Sequence, residues 1–89
     1  MIHLGNVIDT VHIAERGLAV MLDTRMQDIR DDVPIYIDDP VRVVSADGRQ
    51  QDAVVRGIEV RLCLTILLPI DVAPDSVAVG DQLFLLRPA

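Results

Sequence analysis

An antiparallel all-β domain is the expectation for this chain: a small β-barrel of about six strands, closed or partly open. Short β-branched runs recur between turn residues, and no apolar stripe keeps a helical period over any useful length. The intervals between runs leave no room for crossover helices, so neighbouring strands pair antiparallel. Closing the sheet would hide its edges; an open two-layer sandwich is the alternative. Residues 1–89 make one domain, with no repeat, linker or low-complexity segment.

The first strand is read over Asn6 to Ile13, where Val7, Val11 and Ile13 can share a face. Glu15-Arg16-Gly17 turns the chain, because Gly17 adopts positive φ without a Cβ penalty. Leu18 to Thr24 is the second strand, with Leu18, Val20 and Leu22 on one side. Arg25 to Asp32 is polar and reads as a loop or a single helical turn. Val33 to Ile37 alternates as a short strand, and Pro34, lacking an N–H, assigns it to an edge. Val41 to Ala46 and Gln50 to Val60 flank Asp47-Gly48, the clearest hairpin signal in the chain, with Gly57 marking a bulge or a close backbone approach. Arg61 to Leu68 is an apolar run expected to be buried on both faces. A Pro- and Asp-rich loop follows, then Val79-Gly80-Asp81 and a last strand over Gln82 to Leu86, in which Phe84 is expected to anchor the core.

Composition excludes several functions. One Tyr, one Phe and no Trp make the core aliphatic and leave no aromatic surface for stacking bases. The net charge of −6 repels phosphate backbones, so RNA as a partner works against the mean field. Every basic residue is Arg and none is Lys; coding bias accounts for this better than adaptation to salt. Cys63 stands alone in an apolar run, which makes it a buried, inert thiol and rules out an internal disulfide. No signal peptide is recognised, and the longest apolar stretch, Leu62 to Ile70, is far short of the ~20 residues of a spanning helix. The expected setting is therefore cytoplasmic, away from membranes.

Three segments resemble the second-domain β-barrel of translational GTPases of the elongation factor Tu type. Val7 through Val20 is similar to the family's hairpin with an Arg-Gly corner. Val54, Val55, Gly57, Ile58 and Glu59 resemble its "V-x-G-I/V-E" strand. Leu64 to Leu86 leads to Val79-Gly80-Asp81-Gln82-Leu83, which is similar to its closing "I-x-x-G-D/Q-x-L" segment. The resemblance implies that fold and, through the corner, an RNA or ribosome contact. The chain departs from the pattern in three places. It has no phosphate-binding loop and no lysine for one, which excludes GTPase activity. Glu59 runs almost directly into the next apolar strand, without the family's glycine-rich stretch. Met26 to Asp32 lacks the glycines of "G-x-I/V-x-x-G-D".

No constellation points to catalysis. Ser45 and Ser76 lack a neighbouring base, and His3 and His12 lie far from Cys63 in sequence. The chain is read as a non-enzyme without cofactor or metal; the acids from Asp28 to Asp39 match no EF-hand spacing. The binding candidates are Arg16 and Gly17 at the corner, Tyr36 as an exposed anchor, and Asp31 and Asp32 as an acidic face for a basic partner. Ile2 and Leu4 are further candidates for an exposed patch, and Arg42, Arg49, Arg56 and Arg61 for a basic one. The expected role is a protein-interaction or assembly module, possible as a homo-oligomer using the Val33–Ile37 edge. An RNA- or ribosome-associated module is the alternative, and an acidic inhibitor or immunity-type protein the third reading.

Overall fold

Aliphatic residues at alternate positions build a single antiparallel sheet. In a computed structural model, which describes residues 1–29 and 34–87, seven strands form. They are β1 (Ile2–Ile13), β2 (Gly17–Arg25), β3 (Pro40–Val44), β4 (Gln50–Val54), β5 (Gly57–Val60), β6 (Cys63–Leu68) and β7 (Gln82–Leu85). Their order across the sheet is β4-β3-β7-β1-β2-β6-β5. Short 3₁₀ turns at Met26–Asp28 and Pro74–Ser76 are the only helical segments among the described residues.

This order forces the sheet to curl. β4 and β5 are its two edges, yet only Val55 and Arg56 separate them in sequence. A flat sheet would hold those edges about 29 Å apart at the usual strand spacing, whereas two residues span only about 7 Å. The edges are thus joined by the chain and not by a hydrogen-bond ladder, so the sheet is not closed. The Gln50–Val60 run, expected as one arm, divides at Val55–Arg56, while residues 34–37 form no strand; the total is seven where about six were expected. Val55 is fully buried at this corner; its N–H donates to the Asp39 carbonyl (2.9 Å) and its carbonyl accepts from Asp38 N–H (2.7 Å).

The core lies inside the curl. Leu18, Val20 and Leu22 of β2 and Leu64, Ile66 and Leu68 of β6 point inward, and Leu83 and Leu85 of β7 join them in one buried cluster. Each such side chain contributes about 1.5–3 kcal/mol on burial. Asp81 is buried at the turn before β7. Its carboxylate accepts Ala78 N–H (2.9 Å) and its carbonyl accepts Val7 N–H (2.8 Å), which docks that turn onto β1. The β3–β4 hairpin turns at Asp47-Gly48 as expected, with Gly48 at φ 88° and Ser45 N–H donating to the Arg49 carbonyl (2.9 Å).

Several expectations are corrected. β1 begins at Ile2 and carries an irregularity between Val7 and Asp9 that reverses the phase of its side chains. Val7 is therefore buried while Val11 is 52% exposed, so the two do not share a face. Residues 34–37 form no strand, and Val33 lies outside the described residues, so the edge expected there is instead supplied by β4 and β5. β6 alternates buried and half-buried residues because only its inner face meets the core; Cys63 is consequently half-buried. Phe84 is half-buried outside the core, its ring tilted against His3 at 5.2 Å, because its neighbours Leu83 and Leu85 take the inward positions.

Candidate interaction surface

The corner between β1 and β2 is a tight three-residue connection. Ile13 pairs with Gly17, and Arg16 N–H closes the turn on the Ile13 carbonyl at 3.0 Å. Glu15 takes φ 67° and Gly17 takes φ 135°, so the reversal needs two positive-φ residues within three positions. Gly17 is also packed against β6: a Cβ there would lie 2.0 Å from the Leu68 carbonyl oxygen. Its role in the fold is thus to let two backbones meet.

That close approach holds Arg16 between two adjoining depressions. One is open and lined by Glu15, Arg16, Arg56, Leu67, Pro69, Ile70 and Asp71. The other lies on the outer side of β2, β6 and β5, where Ile13, Ala19, Gly57, Thr65 and Leu67 face outward beside Glu59. Gly57 leaves the dent: its missing side chain would sit 3.1 Å from the Leu67 Cβ. Together they form a mixed aliphatic and polar surface that carries Arg16 and the Asp38-paired Arg56 and is rimmed by the carboxylates of Glu15, Glu59 and Asp71, the mixture found at protein–protein contacts.

The arginines divide sharply. Arg42, Arg49, Arg56 and Arg61 are held by Asp52 (2.6 Å), Asp47 (2.9 Å), Asp38 (2.5 Å) and Glu59 (2.6 Å). The basic patch they were considered for is therefore neutralised residue by residue. Arg87 is bound by Asp39 at 2.9 Å. Among the described residues, Arg16 and Arg25 have no ion-pair partner. The hydrogen bond from Arg42 holds the Asp52 carboxyl below its usual range and raises the guanidinium in return. The Arg49 backbone N–H similarly lowers Asp47.

Tyr36 is 58% exposed, as expected, but it sits in a loop and not on a strand. Its ring lies beneath the Arg87 guanidinium (5.7 Å), and its N–H donates to Asp39 Oδ2 (2.8 Å). Arg87 also donates to the Pro34 carbonyl. One face of the ring is thereby committed to tying the chain end to this loop. Leu4, expected in an exposed patch, is buried at 8% exposure, and Ile2 is half-buried, because β1 runs through the middle of the sheet. Asp31 and Asp32 lie outside the described residues.

Sequence reading found Arg16 but missed the surface around it. Ile13, Ala19 and Leu67 come together only through the phase reversal in β1 and the β2–β6 register. Among the described residues, no three His, Cys, Asp or Glu side chains converge on a metal-sized site, and no helix is long and apolar enough to cross a membrane. Compared with known proteins, the chain matches no family model, no curated relative and no solved structure.

Proposed function

We propose that this chain is a non-enzymatic protein-interaction module, a curled sheet of the translation-factor second-domain type that engages a partner through the Arg16 surface. The observation that carries this reading is the contrast among the arginines. Five are each bound by a carboxylate; of the two without an ion-pair partner among the described residues, Arg16 and Arg25, it is Arg16 that stands exposed between two partly apolar depressions. An Arg presented on an apolar field is a common anchor of protein interfaces. The sheet's curl, its Arg16-Gly17 corner and the Val79-Gly80-Asp81 turn docked on β1 support the fold part of the reading. The net charge of −6 and the paired arginines favour protein over RNA.

The test is a tagged capture from source-cell lysate, with and without RNase, using the native chain and Arg16→Glu. A stoichiometric protein that survives RNase and is lost with Arg16→Glu is the expected result. RNA or ribosomal proteins that vanish with RNase would replace this reading with the translation-linked one. Capture that ignores Arg16→Glu would remove the corner from the site.

A further inference from the structure

The two sheet edges differ in the side chains they expose. β4 reads Gln50-Gln51-Asp52-Ala53-Val54 and presents no large exposed aliphatic side chain. Ile58 and Val60 of β5 make no backbone hydrogen bond outside the β6 pairing among the described residues. The phase of that pairing decides which groups face out. Arg61 N–H points to the Cys63 carbonyl (3.5 Å), and Glu59 stands opposite Thr65. Hydrogen-bonded pairs alternate along an antiparallel ladder, so Ile58 and Val60 turn their N–H and C=O groups away from β6. The same stretch carries partly or fully exposed aliphatics: Ile58 at 38%, Val60 at 39% and Leu62 at 86%.

The segment Ile58-Glu59-Val60-Arg61-Leu62 is self-complementary. An antiparallel twofold centred on Val60 sets Val60 against itself, Ile58 against Leu62 of the second copy, and Glu59 against its Arg61. This register also matches the outward backbone groups, because Val60 exchanges two N–H···O bonds with its own copy. Centring on Glu59 instead would place two Glu59 side chains opposite each other, which is destabilising. Leu62 takes little part in the ladder, since its carbonyl already accepts Met26 N–H at 3.4 Å. It contributes its side chain, which covers Ile58 of the other copy. Glu59 and Arg61 pair within one chain at 2.6 Å, both well exposed, so exchanging that contact for one between chains costs little.

We propose that two copies of this chain associate edge to edge through β5, about a twofold axis at Val60. The proposal rests on the reading of the chain as an interaction module and adds a second copy as a partner. A strand of four residues covers less than the ~800 Å² per partner of a standard interface, so the dimer is concentration-dependent.

Sedimentation over a concentration series tests it with four samples: the native chain, Glu59→Arg, Arg61→Glu, and an equimolar mixture of the two variants. The native chain should show a reversible monomer–dimer equilibrium. Each reversal places like charges opposite in both symmetry-related pairs and should weaken it about tenfold. The mixture should recover native strength, because the two guanidinium groups of the Glu59→Arg chain then face the two carboxylates of the Arg61→Glu chain. A native chain that stays a monomer of 9.8 kDa at every concentration overturns the proposal. So does a dimer indifferent to both reversals, or weakening with no recovery in the mixture. A monomer that still captures a protein partner through Arg16 would sink the self-pairing and leave the proposed function standing.

Discussion

Arg42 on β3 faces Asp52 on β4 directly across the ladder, and two guanidinium nitrogens hold its carboxylate at 2.6 and 3.0 Å. A bidentate cross-strand pair of this kind fixes register as well as charge. Asp52 should titrate below the ordinary aspartate range, and Arg42→Ala should return it there, as read by carboxyl carbon shifts in NMR. The sign follows from the lowered folded-state value. The pair's contribution is complete above the unfolded aspartate pKa of about 4 and is lost as pH falls through the depressed value. An unchanged Asp52 titration in Arg42→Ala would show that the pair does not form in solution.

Gly17 and Gly48 both take positive φ, but only Gly17 is enclosed. Gly17→Ala must separate β2 from the Leu68 carbonyl and should cost about 3–5 kcal/mol in urea unfolding. Gly48→Ala meets no atom within 4 Å and should cost only the conformational penalty, about 1–2 kcal/mol. Equal losses at the two positions would contradict the packing of the corner on β6.

Leu62 and Leu68 lie at opposite ends of one apolar stretch, one exposed and one fully buried. Leu68→Ala should destabilise the chain by about 2–5 kcal/mol, while Leu62→Ala should stay within about 0.5 kcal/mol. Chemical denaturation of the two variants at low protein concentration separates these values. A large loss at Leu62 would mean that the β5–β6 turn is covered within the monomer.

Asp81 is a buried carboxylate whose acceptor role is specific: it takes the Ala78 N–H. Asp81→Ala leaves that donor unmet and should cost about 1–3 kcal/mol. Amide exchange at Ala78 should speed up before that of the β2 core. Uniform acceleration across the sheet would indicate global destabilisation instead.

How much of this was legible in sequence depended on whether a signal was local. The Arg16-Gly17 corner and the Asp47-Gly48 hairpin declare themselves through residues that the turn itself requires. The alternation of β2 is legible because one face meets the core and the other does not. The β1 irregularity is not legible, since an extra residue reverses every later side chain without altering composition. Val33 to Ile37 alternates like a strand, but residues 34–37 find no partner strand there, and alternation without a neighbour is not a ladder. The Arg16 surface was only half readable. The cation is a sequence feature, whereas the apolar field around it arises from strands brought together by the fold.

β7 lies between β3 and β1, and among the described residues its two ladders are the only strand pairings that join the β3–β4 hairpin to the other four strands. During synthesis, β1, β2, β5 and β6 can assemble as one unit and β3–β4 as another. Neither gains the other's hydrogen bonds until the closing strand has emerged. Folding is therefore a late, non-local docking event, which slows it relative to a sheet built from successive hairpins. The span from Pro69 to Asp81 sets how long the two unfinished pieces wait with β1 and β3 unpaired along one side.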